Sequence, residues 1–409
     1  MSQFIVPILI FCLLILIEYY TYCAVKILLP NNPWVIRIYL LLNIVLWAMM
    51  FSYRGLGLNK GDTKYWFIYI GAVFMSLMVA KIVAFLVLFG ADIVGWIGNL
   101  FTTKTNAIDA AANGISRKTF ISKVALGIAS VPFITMIYGI VVNAYNYQIK
   151  KVKIKFPNLP KSFNGFIIVQ ISDIHSGSFT RKEPLIEAVQ MINNLNADVV
   201  LFTGDIVNSE SNEMLPYIDV FKNIKAKVGV FATTGNHDYG DYIQWDTPEE
   251  KIANFELLKT IHRQLGWRLL MNEHEVIERN GEKIAILGVE NWGKALHFPK
   301  YGKMDLAYNG TEEIPFKVLM SHDPSHWDAQ VRPEYPAIDL MLSGHTHGFQ
   351  FGIETKYFKW SPSQWVYKQW AGLYQEGKQY LYVNRGFGFL GYPGRVGILP
   401  EITEITLEA

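Results

Sequence analysis

The stretch IDLMLSGHTHG, Ile338–Gly348, decides how this chain folds. Its apolar run, Ala337–Leu342, is broken only by Asp339 and ends on a small residue, a glycine and two histidines. A short apolar run closed in this way reads as a buried strand that delivers polar side chains at its carboxyl end. Residues two apart in an extended segment share a face. The spacing therefore predicts that His345 and His347 lean the same way, with Thr346 turned aside and the flanking glycines admitting a close backbone.

The same texture recurs four more times. FIIVQIS (Phe166–Ser172) runs into DIHSG (Asp173–Gly177), and DVVLFTGD ends at Asp205. VGVFATTGNHD delivers Asn236, His237 and Asp238, and FKVLMSHDP reaches His322. Helical patterns are expected at Pro184–Leu195, before Val228, and at Pro248–Leu265. Shorter strands are expected at HEVIE (His274–Glu278) and KIAILGVE (Lys283–Glu290), and KVKIKF (Lys151–Phe156) alternates as a half-exposed strand does. This is α/β organisation, and in such sheets sites form outside the carboxyl ends of the strands.

The candidate ligands are then Asp173, His175, Asp205, Asn236, His322, His345 and His347. Seven groups are too many for one tetrahedral zinc, and a set without cysteine is not a structural zinc site. Two divalent cations sharing a carboxylate would use them all. Mixed imidazole and carboxylate donors suit manganese, iron or zinc better than magnesium. Any one of these motifs alone is only a hypothesis, since a lone buried histidine is usually just hydrogen-bonded. Five in succession, each at a strand end, form a site.

The order D-x-H, G-D, G-N-H-D, H, G-H-x-H is similar to that of the calcineurin-like metallophosphoesterases, over roughly Lys151–Ala409. The C-terminal YVNRGFG (Tyr382–Gly388) and PGRVGILPEITEITL (Pro393–Leu407) resemble the bacterial membrane-associated and exported subgroup. The resemblance implies a four-layer α/β/β/α sandwich. It implies one metal on Asp173, His175, Asp205 and His347, and a second on Asn236, His322 and His345, with Asp205 bridging. It also implies that His237 contacts the phosphoryl oxygen or the leaving group, oriented by Asp238. Asn208 departs from the family, many members of which carry an acidic residue there; it is no ligand, so tuning rather than loss is expected. The implied reaction is hydrolysis of a phosphomonoester, phosphodiester or pyrophosphate by a metal-bridged hydroxide, with Asn236 and the metals stabilising the phosphoryl oxygens.

The first third of the chain is different. Of the 409 residues, 51% are hydrophobic, and the excess lies before about residue 145. A membrane-spanning helix needs roughly 20 mostly apolar residues, and Phe4–Leu28, Trp34–Phe51, Trp66–Phe89 and Thr119–Val142 qualify. Residues 1–147 are expected to be an all-α bundle of four transmembrane helices, followed by the α/β domain at 148–409. Both cysteines, Cys12 and Cys23, fall in the first span, so no disulfide staples the domain. Glu18 and Lys81 lie at similar depth in the first and third spans and are expected to meet as an ion pair, functional or structural. A net charge of +2 excludes binding driven by nucleic-acid phosphates.

Cations flanking the spans do not set the orientation: Arg54, Lys60, Lys64, Lys150, Lys151, Lys153 and Lys155 balance Lys26, Arg37, Lys104, Arg117, Lys118 and Lys123. SRKTFISK (Ser116–Lys123) resembles a twin-arginine export signal with lysine for the second arginine, which would place the C-terminal domain outside the cytoplasm. A multi-pass protein of the cell membrane acting on a lipid-linked phosphate is the expectation. The alternatives are a cytoplasm-facing UDP-diacylglucosamine pyrophosphatase and a non-catalytic metal-binding membrane scaffold. Between Phe349 and Tyr382, Tyr357, Trp360, Trp365, Tyr367, Trp370 and Tyr374 stand among lysines. That composition fits either a flap at the lipid headgroups or a subdomain with its own small core.

Overall fold

The computed structural model describes residues 2–55, 63–101, 115–295 and 298–409. Lys60 and Lys104, two of the loop cations weighed above, lie outside them. The chain divides into two compact units, Met1–Tyr138 and Gly139–Ala409.

The first unit contains α1 (Ser2–Leu28), α2 (Pro33–Gly55), α3 (Thr63–Phe101) and most of α4 (Arg117–Val141). All four are long and apolar enough to cross a membrane. Pro33 stands at the start of α2, where its missing N–H costs nothing. At 39 residues α3 is much longer than the expected span. It runs on through Asp92, which accepts a hydrogen bond from the Tyr20 hydroxyl at 3.0 Å. Lys81 Nζ and Glu18 Oε1 meet at 2.6 Å. Asn43 Oδ1 also accepts from the lysine, and Trp47 Nε1 donates to the glutamate at 3.1 Å. Unpaired charges are costly at membrane depth, and here α1, α2 and α3 jointly satisfy both.

The second unit is built on two six-stranded sheets. In chain order the strands are β1 (Gln148–Lys155), β2 (Ile167–Ile171), β3 (Val199–Phe202), β4 (Gly229–Ala232), β5 (Arg268–Leu269), β6 (Glu273–Arg279) and β7 (Glu282–Gly288). They continue as β8 (Lys317–Met320), β9 (Leu340–Ser343), β10 (Ile353–Glu354), β11 (Lys359–Trp360), β12 (Gly372–Glu376), β13 (Gln379–Val383) and β14 (Glu401–Glu408). One sheet has the order β1-β14-β2-β3-β4-β5, the other β12-β13-β9-β8-β7-β6, and β10 and β11 form a separate ribbon. The runs β2-β3-β4-β5 and β13-β9-β8-β7 are parallel.

Among the described residues five α-helices belong to this unit: α5 (Glu183–Asn194), α6 (Ile218–Phe221), α7 (Pro248–Leu265), α8 (Met304–Tyr308) and the short α9 (Arg332–Glu334). The start and stop of α7 are legible in its ends. The Thr247 side chain caps Glu250 N, Pro248 opens the first turn, and Gly266 closes the helix at φ +75°. The helix expected before Val228 is instead a 3₁₀ turn, Ser211–Tyr217, followed by the single turn of α6. Pro216 within the turn has no N–H to continue an α ladder.

Side chains alternate across each strand and so build the layers. Val199 and Leu201 face the core between the sheets, against Ile284, Ile286, Val318 and Leu340. Val200 and Phe202 face the outer core, against Leu185 and Ile192 of α5 and Leu258 and Ile261 of α7. On the far side, Leu287, Leu319 and Met341 pack under Met304 and Ala307 of α8. The result is the four-layer α/β/β/α sandwich.

Candidate metal centre

Five parallel strands end at one rim: β2, β3 and β4 of one sheet, β8 and β9 of the other. The residues following them form two clusters. Asp173, His175 and His347 make one, and Asp205, His322 and His345 the other, each with its donor atoms within 4.8 Å of one another. All are buried except His345, which is partly so.

Both carboxylates reach across between the clusters, Asp205 more closely than Asp173, whose Oδ1 stands 3.9 Å from His322 Nε2. Asp205 Oδ2 lies 3.0 Å from His322 Nε2 and 3.6 Å from His175 Nε2. Its Oδ1 accepts the backbone N–H of His237 at 2.8 Å. Asp173 Oδ1 lies 3.3 Å from His347 Nε2, and both its oxygens are 3.0 Å from the His345 amide. Imidazole nitrogens also converge pairwise: His175 Nε2 and His347 Nε2 at 3.0 Å, His322 Nε2 and His345 Nδ1 at 3.2 Å.

The backbone reaches this geometry at a cost. Asp173 (φ 54°), His175 (49°), Asp205 (60°), His345 (69°) and His347 (49°) are all left-handed. Non-glycine residues rarely adopt that region, and strain of this kind gathers at functional sites. It also corrects the extended reading of the GHTH segment, because β9 stops at Ser343. The chain then turns at each histidine, and this turning sends His345 and His347 to different clusters. Thr346 is not idle, since its hydroxyl donates to Trp370 O at 2.6 Å. Gly344 is required for space: a Cβ there would lie 1.9 Å from Ser172 Oγ and 2.1 Å from Asp173 Oδ2.

The outward nitrogens are held in place. His322 Nδ1 sits 2.8 Å from the Thr203 carbonyl, which fixes its proton there and turns Nε2 inward. His345 reaches the Tyr367 hydroxyl through Nε2 at 2.7 Å, leaving Nδ1 to face His322. Buried Asp323 stands 3.7 Å from the same Nε2. Arg395, wholly buried, donates to the carbonyls of Arg385 and Gly386 and reaches His347 Nδ1 at 3.4 Å.

Asn236 is buried; its Nδ2 donates to the Tyr242 hydroxyl at 2.7 Å. Its Oδ1 has no donor among the described residues. His237 is half-buried, its ring 5.0 Å from that of His175 and its Nδ1 2.6 Å from Asn208 O. Asp238 does not reach that ring. Its carboxylate accepts three backbone N–H groups, from Gly235 at 2.8 Å and from Asp205 and Ile206 at 2.9 Å. The expected orienting of His237 therefore falls to the Asn208 carbonyl, while Asp238 ties the end of β4 to the end of β3.

Electrostatics match a cation site. Burial alone would raise the Asp173 and Asp205 carboxyls, but His347 beside Asp173 and His322 beside Asp205 hold them below the ordinary range. Burial would lower His322, yet Asp205 and Asp173 drive it up to about 10. Burial, with His347 alongside, keeps His175 neutral. Two buried carboxylates, inward-facing imidazoles and an unpaired amide oxygen are donors that call for divalent positive charge.

Residues 2–144 match the family described as the transmembrane domain of a probable calcineurin-like phosphoesterase, and residues 166–349 match the calcineurin-like phosphoesterases themselves. A zebrafish (Danio rerio) transmembrane protein with metallophosphoesterase domain is 32% identical over 79% of this chain and 70% of its own length. The chain belongs to the calcineurin-like phosphoesterases. The metallophosphoesterase YkuE of Bacillus subtilis is 31% identical over 63% of this chain and 84% of its own. The UDP-2,3-diacylglucosamine pyrophosphatase LpxG of Chlamydia trachomatis is 28% identical over 56% and 81%. This phosphoesterase is thus a membrane protein and a metal-dependent hydrolase with a divalent metal centre.

Sequence reasoning missed the groups that aim the ligands. Asp323 directly follows His322 in SHDP and could have been found there. Tyr242, Tyr367 and Arg395 carry no local signal, and the carbonyls of Thr203 and Asn208 cannot carry one.

Proposed function

We propose that Asp173, His175 and His347 hold one divalent cation and Asn236, His322 and His345 a second, with Asp205 shared. The ions are manganese, iron or zinc. The position of Asp205 Oδ2, within reach of a histidine from each cluster, carries this reading. When bound, such a pair supplies Lewis-acid charge and lowers the pKa of water towards neutrality.

The chain's own groups do the rest. The strained strand ends fix the donors before substrate arrives, so little reorganisation remains at the reacting phosphorus. His237, half-buried with Nδ1 engaged by Asn208, offers Nε2 to the substrate. With a proton on each ring nitrogen, it would give the one on Nε2 to the leaving oxygen as the phosphorus–oxygen bond breaks, while Nδ1–H stays on the Asn208 carbonyl. The substrate is a phosphoester or pyrophosphate of a lipid or membrane-linked molecule, since the chain carries four candidate spans where one would anchor it. The domain faces away from the cytoplasm, as the resemblance of Ser116–Lys123 to an export signal suggests.

The test is the full chain in nanodiscs, stripped of metal and reloaded with manganese, iron or zinc, assayed on bis-p-nitrophenyl phosphate. Reloading restores turnover, and Asp205→Asn loses both metal and turnover. Full activity in that variant, or in excess chelator, overturns the proposal. Likeness to the chlamydial pyrophosphatase favours a second reading, cleavage of a nucleotide-linked lipid in the cytoplasm. Release of UMP from UDP-2,3-diacylglucosamine, with a C-terminal reporter active only in the cytoplasm, would select it.

A further inference from the structure

Between β9 and β12 the chain leaves the sandwich and forms a projection. Two of its aromatic residues, Tyr367 and Trp370, pack with Ala371 and Ile398 in a small core. Most of the others point outward. The β10–β11 ribbon ends in a turn whose Tyr357 is 89% exposed and Phe358 56%; beside it Trp365 is 73% exposed. Ile353, Val366 and Phe349 are at least half exposed as well. Phe349 is also held left-handed at φ 56°. A bulky side chain in that region is strained, and here the strain serves to hold an aromatic ring out in solvent.

Charge and position narrow what covers this surface. Lys356 is exposed at the turn, next to Tyr357. Lys368, exposed behind Trp365, is paired with Asp328 at 4.0 Å and Glu376 at 3.6 Å, and the ribbon's Glu354 is withdrawn into an ion pair with Arg385 at 2.6 Å. The tip is therefore aromatic, with Lys356 at its turn and its one carboxylate neutralised, a composition that suits a bilayer interface. Its base is tied to the place where the chain leaves α4. Val396 bridges to Phe351, and its neighbour Arg395 donates its backbone N–H to Gly139 O at 3.0 Å. Lys150, on the first strand after α4, lies 3.9 Å from Glu354. Only the six residues Val142–Tyr147 separate α4 from β1, a reach of roughly 20 Å when extended.

We propose that the tip of this projection, Ile353–Phe358 with Trp365 and Val366, beds in the headgroup layer of the chain's own bilayer. It would hold the metal-centre rim at the membrane surface, with Tyr367 linking the bedded element to His345. The proposal concerns docking and does not depend on which phosphoester is cleaved.

The experiment uses the full chain in phosphatidylcholine–phosphatidylglycerol nanodiscs. In a Cys12→Ser, Cys23→Ser background, Tyr357→Cys and Phe358→Cys are labelled one at a time with the fluorophore NBD. Ile252→Cys, on the exposed face of α7, is the solvent control. Bedding predicts blue-shifted emission at both tip positions and quenching by headgroup-level spin-labelled lipid at least roughly twofold greater than at the control. Two labels at adjacent exposed positions guard against one variant being misplaced. Emission and quenching equal to those of Ile252→Cys overturn the proposal. Energy transfer between labelled copies without lipid quenching also overturns it, because the surface then meets a second chain. A catalytically dead chain that still shows the quenching leaves docking intact and rejects only the phosphoesterase reading.

Discussion

The Nδ1 of His237 lies 2.6 Å from the main-chain oxygen of Asn208, and this contact fixes which ring nitrogen is free for chemistry. A carbonyl oxygen only accepts, so Nδ1 carries a proton and Nε2 is the nitrogen left free to hold and give a second one. Asn208 is itself held, its amide donating to Glu213 at 2.6 Å and its side chain to Ser178 at 2.9 Å. A backbone carbonyl performs the orienting, so the identity of the side chain at 208 matters less than the placement of its loop.

If His237 moves a proton rather than holding metal, His237→Ala separates the two. Turnover should fall by about 10²–10⁴-fold, the usual contribution of a positioned acid. Bound metal, measured by atomic emission on the purified chain, should stay at the wild-type level. Unchanged turnover would remove His237 from the mechanism.

Asp238→Asn should act through structure. Three backbone N–H groups converge on this carboxylate, and an amide would present an NH₂ to at least one of them. Burial and the nearby charge of Asp205 push its pKa up to about 7, so the three donors are what hold the charge in place. The expected loss is about 1–3 kcal/mol of stability, seen as a lower unfolding midpoint, together with weaker metal binding. A variant with wild-type midpoint and metal affinity would show that the clamp is dispensable.

Tyr367→Phe removes the hydroxyl 2.7 Å from His345 Nε2 while keeping the ring in its small core. Groups that orient a ligand's far nitrogen typically contribute 10–100-fold to metal affinity. Titration calorimetry on the metal-free chain should show the binding event that depends on His345 weakened by about that factor, and the event that depends on His347 unchanged. Equal weakening of both events would mean that Tyr367 props the whole rim rather than one ligand.

These residues also show where reading the sequence stops. The runs Ile167–Ile171, Val199–Phe202 and Leu340–Ser343 announce themselves as buried strands because both faces are covered, and each hands over to polar residues at once. α7 announces itself through Thr247, Pro248 and Gly266, whose chemistry is local. The left-handed turns at His345 and His347 are different. The glycines lie at 344 and 348, so local propensity would place the turns there, and the strain falls on the histidines because tertiary contacts demand it. Tyr367 comes 22 residues after the histidine it holds. No pattern of fixed period links the two; only the path of the β10–β11 ribbon does.

His262 offers a test of the core away from the metal centre. It lies on α7, 1% exposed, with Nδ1 3.0 Å from Leu258 O and Nε2 without a partner among the described residues. Burial lowers its pKa from the usual 6.5 to about 4. Between those values the unfolded chain takes up a proton that the folded chain refuses, so folding loses stability as pH falls through this window. The contribution is fully present above pH 6.5 and shrinks by about 3 kcal/mol as pH approaches 4, at 1.36 kcal/mol per unit. Other groups titrate nearby, Asp238 in the opposite sense, so the quantity to measure is a difference. The unfolding midpoint of the second unit, followed in the full chain by tryptophan fluorescence, should fall more steeply from pH 6.5 to 4.5 in wild type than in His262→Leu. Parallel profiles would mean that His262 is protonated where it lies, with water reaching the inner face of α7.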